Sequence, residues 1–565
     1  MNLNNNLNNS SRSIYYPSRT DKWTGVNWNK VEQTITNLQH RITKAAENGD
    51  YRKVRNLQRL LNNSISSKLK SVRIVAQENS GKKTPGIDGE IWTTPDRKLQ
   101  EAQKLHNRSK TKPLKRVYIP KANGKQRPLG IPCISDRAKQ ALWNQSLLPV
   151  VEATSDPNSY GFRPYRSCWN ANKQVRTLLD KPNSPEWILD ADIEKCFDKI
   201  NHNWLLENTP METEVLKSWL KAGYLENSNF YKTEEGTPQG GVISPTLMNH
   251  TLNGLEKFLD ETFKPGYGIS STGKKVRKST CINLVRYADD LIVTGRSKRQ
   301  LERVKLAIGE FLKPRGLRIN DDKTSIRHIS EGFDFLGWNF RKYNNKLLCK
   351  ISQKSIQNHR REIKHLIKTT HHPDVLIIKL NSKIMGWENY HCCCNDIWKV
   401  WGMMNHYLYK CLMKWCRRRH SNKTKKWIYQ NYWKNTKSGK TKIKTFVINY
   451  KNQEFKLKTY SSKQKLIRTR LSKETNVFDL RNKKLIKNKM AITKQKLTGN
   501  KSILWRIQKG ICPTCKQHMD PFNPKLIHVH HIVARKDGGS SKLSNLVLLH
   551  EHCHYTIHYT RNAAS

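Results

Sequence analysis

The sequence contains few acidic residues and no apolar run long enough to cross a membrane. Asp and Glu number 45 against 104 Lys and Arg, which gives a formal charge of +59 over 565 residues. An excess of one sign destabilises a compact chain by self-repulsion, so a polyanion is the expected partner. Nucleic acid is favoured because each neutralised phosphate releases counterions. A merely basic soluble protein is the plainer alternative, and a membrane surface fits less well because the basic residues form no single amphipathic helix.

A secretion signal and a disulfide framework are also missing. The N-terminal stretch MNLNNNLNNSSRSIYYPSRT has no apolar signal-peptide core, so we expect residues 1–22 to be a disordered tail. Its few acids, with some Ser and Arg, leave an organellar transit segment open. The 13 cysteines of this Lys-rich chain favour free thiols or metal ligands over disulfides. The Asn- and Lys-rich composition leads us to expect a bacterial cytoplasm or an organelle, either a chloroplast or a mitochondrion.

Tandem repeats are absent, and the chain is too long for a single core. Apolar periodicity predicts helices before residue 80 and again over 355–430, whereas residues 111–345 mix short β-rich runs with helices. Lys dominates after residue 431, and Cys and His become dense after residue 501. We therefore divide the chain into a tail and five units: 1–22, 23–110, 111–350, 351–430, 431–500 and 501–565.

Two adjacent acids interrupt an otherwise apolar stretch, LVRYADDLIV. Its pattern predicts a strand, a turn with Asp289 and Asp290 at its tip, and a second strand. Another apolar strand, in EWILDADIEKCFDKINH, carries Asp190 and Asp192 on one face because side chains alternate along a strand. Clustered carboxylates bind Mg²⁺, and two such ions about 4 Å apart clamp the attacking and leaving oxygens of a phosphoryl transfer. An Asp-Asp pair also occurs in ordinary turns, so the acids alone are a weak signal.

Five motifs around these acids resemble the ordered motifs of reverse transcriptases, and more narrowly those of proteins encoded within group II introns. The motifs are RPLGIP (127–132), YGFRPYRS (160–167), DIEKCFD (192–198), GTPQGGVISP (236–245) and YADD (287–290).

The resemblance implies an α+β protein with a right-hand polymerase fold whose palm contains a ferredoxin-like sheet. It assigns the reverse transcriptase fingers and palm to 111–350, with an RNA-binding extension of the fingers at 23–110. It assigns an α-helical thumb, or maturase domain X, to 351–430 and a basic DNA-binding region to 431–500. The thumb and the RNA-binding extension would grip intron RNA and promote its splicing.

The resemblance also assigns roles at the polymerase site. Asp192 takes the place of the first catalytic acid, and Asp289 and Asp290 that of the catalytic pair, so that the three hold two Mg²⁺ ions. Asp190 stands where the family usually has a small residue, and we interpret it as a bystander. Phe197 matches the aromatic gate that excludes a ribose 2′-hydroxyl, because a ring beneath C2′ leaves no room for oxygen. A plain core phenylalanine is the alternative.

Further matched residues would hold the nucleotide and the primer. Lys121 and Arg127 match the cations of the fingers that contact the triphosphate, and Gln239 matches the residue beside the nascent base pair. Lys323, in GLRINDDKTSI, matches a lysine that can protonate the leaving pyrophosphate. FDFLGWNF, residues 333–340, matches the primer-grip hairpin. Without the resemblance, Lys121 and Arg127 are ordinary surface bases.

Two cysteine-containing pairs with two-residue spacing lie near the C-terminus. CPTC supplies Cys512 and Cys515, and HEHC supplies His550 and Cys553. Three thiolates and one imidazole at this spacing predict a tetrahedral structural Zn²⁺ site, with a redox CxxC as the alternative. A unit of about 60 residues has a small core, so the metal would supply much of its folding energy.

The same unit, 501–565, carries further histidines. VHHIV, a GG pair and SNLVLLHEHCH together resemble the HNH, or ββα-metal, nucleases, which include the colicin DNases. On that resemblance His530, His554 and His558 bind a catalytic divalent metal, Mg²⁺ or similar. His531 is the general base toward water, and Asn545 orients the loop or His531. Many relatives have an acid in place of His530, which leaves the metal preference open, and a zinc ribbon with spare histidines is the alternative.

A polymerase and a nuclease on one chain predict a protein of intron homing. The expected partners are group II intron RNA as a lariat ribonucleoprotein, target double-stranded DNA and deoxynucleoside triphosphates, with no membrane and with a homodimer left open. The nuclease would nick one DNA strand, and the polymerase would extend that 3′-end on intron RNA. A splicing-only maturase with decayed enzymes, or a reverse transcriptase of a defence or retron system, are the competing interpretations.

Overall fold

The computed structural model describes residues 23, 25–106, 110–120, 126–227, 229–237, 240–269, 275–277, 279–438, 441–450, 453–461, 471–473, 475–486, 500–508, 510–514, 519, 527–534, 537–551 and 553–554. The predicted tail 1–22 and four of the predicted site residues, Lys121, Gln239, Cys515 and His558, lie outside the described residues.

Helices dominate the N-terminal unit, the flanks of the central sheet and residues 353–432. Their bounds are α1 Trp28–Glu47, α2 Tyr51–Asn63, α3 Ile65–Arg73, α4 Pro95–Lys104, α5 Ile134–Ala153, α6 Cys168–Leu179, α7 Cys196–Lys199, α8 His202–Asn208, α9 Thr213–Leu220, α10 Ser244–Leu252, α11 Leu255–Thr262, α12 Lys298–Leu312, α13 Gln353–Thr369, α14 Pro373–His391, α15 Ile397–Arg419, α16 Lys425–Tyr432 and α17 Asn500–Ile507. Among the described residues, no helix combines the length and the apolar character needed to span a bilayer.

The strands form several small sheets. Their bounds are β1 Leu114–Pro120, β2 Gln126–Ile131, β3 Trp187–Asp192, β4 Tyr224–Glu226, β5 Asn229–Tyr231, β6 Tyr267–Ile269, β7 Lys275–Arg277, β8 Asn283–Tyr287, β9 Asp290–Gly295, β10 Ser325–His328, β11 Phe333–Phe335, β12 Trp338–Tyr343, β13 Lys346–Ile351, β14 Trp433–Ser438, β15 Thr441–Tyr450, β16 Gln453–Lys456, β17 Ile527–His531 and β18 Leu546–His550.

The central sheet has four antiparallel strands in the order β10-β3-β9-β8. Both of its faces are buried, which explains why its strands read as nearly continuous apolar runs. Leu189 and Leu291 point into a core shared with α5, α9 and α12. Ile188 and Ile292 point into the opposite core, which continues through β11–β13 into α13–α16 and β15. The sheet is therefore held between two hydrophobic layers, and the acids Asp192 and Asp290 lie at strand ends.

The N-terminal helices form a third core with α5. Ser64 ends α2 and begins α3, because its extended backbone breaks the helix and its hydroxyl accepts a hydrogen bond from the Ser67 amide at 3.2 Å. A second sheet has the strand order β2-β1-β4-β5. It carries Arg127, which pairs with Ile119 across the β1–β2 hairpin.

Part of the Lys-rich region packs against earlier units. The Arg166 guanidinium donates hydrogen bonds to the carbonyls of Leu471 at 3.3 Å and Thr475 at 3.1 Å. Asp479 is 4% exposed and lies 3.0 Å from the Lys44 ammonium on α1. Residues 471–473 and 475–482 thus form a strap that joins the motif YGFRPYRS to the N-terminal helices.

Candidate active sites of a polymerase and a nuclease

The acids at the tip of the β8–β9 hairpin meet the end of β3. Asp192 pairs with Asp290 in the antiparallel register of β3 and β9, and the Ile193 amide donates to the Asp289 carbonyl at 3.4 Å. The two-residue turn between β8 and β9 places Ala288 in the left-handed region, at φ +59°. The sheet therefore brings together three carboxylates that the sequence separates by almost one hundred residues.

The motif YGFRPYRS fixes the position of this hairpin. A Cβ atom on Gly161 would lie 2.3 Å from the Ala288 amide nitrogen, so only glycine allows the two backbones to approach. The Asn249 side chain donates to the Gly161 carbonyl at 2.9 Å, which holds the glycine in place. We did not predict this contact from the sequence.

A buried arginine on β8 anchors the same hairpin to neighbouring segments. The Arg286 side chain is fully buried and donates to the side-chain oxygens of Asn249 at 3.3 Å and Asn253 at 3.1 Å. Its burial lowers the pKa of the guanidinium to about 10, while the negative charge of Asp156 acts in the opposite direction. The Arg286 carbonyl also accepts from the Tyr160 amide at 2.9 Å, so the arginine ties β8 to the segment before Gly161. The sequence offered no signal for this role beyond a basic residue inside an apolar strand.

Burial and repulsion from neighbouring acids raise the pKa values of Asp190, Asp289 and Asp290. Burial raises the pKa of Asp289, and burial with repulsion from Asp289 and Asp192 raises the pKa of Asp290 to about 6. Asp190, one strand step deeper than Asp192, has its pKa raised to about 7 by burial and then by the charge of Asp290. These carboxyls are short of positive charge, which is the condition in which a divalent cation binds well.

Two of the predicted cations lie at the acidic cluster. The Lys323 ammonium lies 2.6 Å from an Asp192 carboxylate oxygen, and this hydrogen bond raises the pKa of the lysine. The charges of Arg127 and Lys323 both lower the pKa of Asp289, although less than burial raises it. The residues present therefore fit a divalent metal: the carboxylates converge, and the lysine and arginine leave their negative charge incompletely compensated.

Phe197 lies beside this cluster, on the short helix α7. Its ring is half-buried and meets the ring of Phe162 edge to face, with centroids 6.3 Å apart. The Phe197 carbonyl accepts from the Thr237 amide at 2.6 Å, which joins it to the loop of GTPQGG. Phe162 is 53% exposed and has a left-handed backbone, at φ +56°. A strained, exposed aromatic residue is characteristic of a functional surface, and we did not predict Phe162.

The three predicted zinc ligands that the structure describes lie together. One ligand atom each of Cys512, His550 and Cys553 fall within 4.8 Å of one another, and all three side chains are buried. The fourth predicted ligand, Cys515, lies outside the described residues. Two thiols and an imidazole at this separation fit a tetrahedral zinc site.

The predicted nuclease histidines that the structure describes lie on the β17–β18 hairpin and on the short helical segment that follows it. His530 and His531 are neighbours on β17, so their side chains point to opposite faces. His530 is 6% exposed and its ring lies 5.2 Å from the ring of His554. His531 faces the connecting loop, with its Nε2 3.4 Å from the Ser541 hydroxyl. His558 lies outside the described residues.

Asn545 holds the loop of this hairpin in shape. Its side-chain carbonyl oxygen accepts a hydrogen bond from the Val533 backbone amide at 2.8 Å. Its side-chain amide group donates to the backbone carbonyls of Val533 at 3.0 Å and Ser540 at 2.7 Å. The loop is closed so tightly that a Cβ atom on Gly539 would lie 1.9 Å from the Val533 carbonyl oxygen. Asn545 thus acts on the loop backbone that follows His531.

Four family descriptions match the chain in this order. N-terminal domain of reverse transcriptase matches residues 23–105, and reverse transcriptase (RNA-dependent DNA polymerase) matches 119–340. Group II intron, maturase-specific domain, matches 356–433, and HNH endonuclease matches 512–560. Protein YkfC of Escherichia coli is 34% identical over 295 residues, which cover 46% of this chain and 77% of that protein. Group II intron-encoded protein LtrA of Lactococcus lactis is 32% identical over 286 residues, 40% of this chain and 47% of LtrA.

The chain belongs to the group II intron-encoded reverse transcriptase–maturases with an HNH endonuclease domain. The predicted family is confirmed, as are the reverse transcriptase and endonuclease classes of enzyme. A mixed α/β fold containing a polymerase domain is confirmed as well.

The relatives of this intron-encoded protein extend beyond the aligned region. The alignment spans about half of LtrA and 33% of the putative COX1/OXI3 intron 2 protein of Saccharomyces cerevisiae, which is 30% identical over 42% of this chain. A telomerase of Candida albicans, solved with a fragment of telomeric RNA, has a TM-score of 0.32 at 13% identity, covering 57% of this chain and 64% of that one. That likeness is too weak to bear on fold or function.

Proposed function

We propose that this protein copies intron RNA into DNA at the carboxylate cluster, with Asp192, Asp289 and Asp290 as ligands of two Mg²⁺ ions. The observation that supports this most strongly is the register of the central sheet, which pairs Asp192 with Asp290. The three acids meet at one sheet edge, and burial and repulsion raise the pKa values of Asp289 and Asp290, so the site favours bound cations. Mg²⁺ there would neutralise charge on the reacting phosphate and the attacking 3′-oxygen.

The neighbouring residues would select and orient the nucleotide. Phe197 would lie beneath the sugar and exclude a 2′-hydroxyl, and Arg127 would contact the triphosphate. Lys323 would move from Asp192 toward the pyrophosphate and give it a proton, which its short contact and proximity to the cluster support. Lys121 and Gln239 would contact the triphosphate and the nascent base pair.

The units around the polymerase site would form a right hand. We assign β10-β3-β9-β8 and its helices to a ferredoxin-like palm, α13–α15 to a helical thumb and residues 23–110 to an RNA-binding extension of the fingers. The Lys-rich residues 431–500 would hold target DNA, which their charge supports.

The C-terminal unit would nick DNA. His530, His554 and His558 would hold one divalent cation, and His531, on the other face of β17, would take a proton from water. Asn545 would keep His531 in position through the loop backbone, as its three backbone hydrogen bonds support. Zn²⁺ held by Cys512, Cys515, His550 and Cys553 would stabilise this small unit.

Together these activities describe intron homing by target-primed reverse transcription. The protein would bind the spliced lariat RNA, insert it into one strand of double-stranded DNA, and nick the other strand. The palm would extend the new 3′-hydroxyl with deoxynucleoside triphosphates. A bacterial or organellar setting suits relatives that come from Escherichia coli, Lactococcus lactis and a yeast intron.

The polymerase proposal is tested by Asp289→Asn. We expect this substitution to lower cDNA synthesis on a primed RNA at least about 100-fold, since it removes a metal-binding charge. Intron splicing by the same preparation should stay close to the wild-type rate. Asp180→Asn, at an exposed aspartate away from the cluster, is the matched control. Equal loss of splicing in Asp289→Asn would show that the two roles are not separable.

A further inference from the structure

A cavity of about 760 Å³ lies between α15, α16 and the sheet of β14–β16. Its floor is apolar: Leu408, Leu412 and Phe446 are each no more than 3% exposed. The volume falls within the range of small-ligand sites. An apolar floor with a few polar groups at the rim is also typical of such sites. This cavity lies outside both of the catalytic sites described above.

Aromatic rings and basic side chains line the same cavity. Tyr429 and Trp433 are stacked with ring centroids 5.5 Å apart, and Tyr409 meets Trp433 edge to face at 5.2 Å. The exposed side chains of Lys425, Lys426 and Lys444 stand at its edge, and none of the lining residues is acidic. A planar base can stack on ring faces, and lysines beside the rings can bind phosphate, so the lining is complementary to a nucleotide.

The Lys444 ammonium lies 4.6 Å from the centre of the Tyr429 ring. This cation–π contact is weak at an exposed position, and the lysine stem is flexible. An incoming base can therefore replace the ammonium over the ring, and the ammonium then becomes available to its phosphate.

We propose that this cavity receives one unpaired base of an RNA. RNA is the favoured occupant because its loops and bulges present bases that are already unstacked, whereas a base of duplex DNA must first be unpaired. Three of the lining residues, Tyr409, Tyr429 and Trp433, also lie in the region matched by the maturase-specific description, residues 356–433. The inference rests on the proposed binding of intron RNA and names the RNA feature that the thumb would hold.

The test compares two RNA hairpins that differ by one bulged adenosine, each bound to the full-length protein. We expect the wild type to bind the bulged hairpin about tenfold more tightly, which is the usual effect of stacking one base on aromatic side chains. Tyr429→Ala should remove that preference and leave the affinity for the paired hairpin unchanged. Tyr429→Phe keeps the ring and should keep the preference, which separates stacking from a general loss of structure.

The lysines are tested by the triple substitution Lys425→Ser, Lys426→Ser and Lys444→Ser. It should weaken binding of the bulged hairpin more than that of the paired hairpin. Three exposed lysines elsewhere, changed together to Ser, are the control for lost charge, and they should weaken both hairpins equally: Lys257, Lys298 and Lys313.

Three results would overturn the proposal: equal affinity of the wild type for both hairpins, a preference that survives in Tyr429→Ala, or an equal or stronger preference for a bulged DNA hairpin. Primer extension on RNA by the same preparation reports the proposed function separately. Extension without a bulge preference rejects the cavity assignment alone, whereas a bulge preference without extension rejects the polymerase proposal alone.

Discussion

Asp190 illustrates how much a single residue can depend on its neighbours. The sequence led us to interpret it as a bystander, but burial and then the charge of Asp290 raise its pKa from 3.8 to about 7. Because the folded state binds the proton more tightly than the unfolded state, this group favours folding fully below pH about 4, and its contribution is lost as the pH rises through 7.

We therefore predict that Asp190→Asn raises the melting temperature of the metal-free protein at pH 8 and changes it little at pH 3.5. Circular dichroism melts in a chelating buffer across this range would measure the effect. Asp180→Asn, at an exposed position, should leave the pH dependence as in the wild type. Parallel pH profiles for wild type and Asp190→Asn would contradict the prediction.

Phe197 is the residue on which sugar selection is expected to depend. Removing its ring in Phe197→Ala should increase ribonucleotide incorporation relative to deoxynucleotide incorporation by on the order of tenfold or more, because space opens beneath C2′. Single-nucleotide extension with each triphosphate gives the two values of kcat/KM. Phe230→Ala, at a phenylalanine 52% exposed on β5, is the control. Unchanged selection in Phe197→Ala would reassign the ring to packing.

At the scale of secondary-structure elements, the catalytic geometry depends on how the β8–β9 hairpin sits against the segment around Gly161. The turn conformation is a local property of the hairpin. The position of the hairpin relative to β3 depends on the backbone contact at Ala288 and on the buried Arg286. A catalytic pair that shifts by about 1 Å loses most of its activity.

Gly161→Ala should therefore lower kcat for primer extension about 100-fold with little change in KM for the nucleotide. The added methyl group would lie 2.3 Å from the Ala288 nitrogen, so the hairpin must move. Gly309→Ala is the matched control, since a Cβ there meets nothing within 4 Å and alanine favours a helix. Wild-type activity in Gly161→Ala would mean that the hairpin tolerates the shift.

On the scale of the whole molecule, the polymerase and the nuclease have separate cores. The C-terminal core contains Leu504, Ile527 and Leu548, whereas the acids of the central sheet lie between two other cores. The described contacts between the units include an ion pair of 2.6 Å between Lys82 and Glu551. Because the cores are separate, we expect that one activity can be abolished by substitution while the other is retained.

His531→Ala should abolish nicking of the second DNA strand, because it removes the proposed general base toward water. Extension from a target that already carries the nick should persist at the wild-type rate. Asp289→Asn should give the reverse pattern and serves as the control for both assays. Nicking by His531→Ala would reject this histidine as the base, and loss of extension would reject the independence of the two sites.

The sequence by itself determined the family, the enzyme classes and the polymerase domain, because motifs such as YADD and GTPQGGVISP are local and keep their order along the chain. It could also place Asp192 on a strand and Asp289 and Asp290 at the tip of a hairpin, since alternation and turn chemistry are local properties; their catalytic roles remain predictions. Only the tertiary structure decided that Gly161 touches Ala288, that Asp190 shares the charge of the cluster, and that α15, α16 and β14–β16 enclose a basic aromatic cavity. Those features depend on how distant segments pack, and neither composition nor periodicity carries that information.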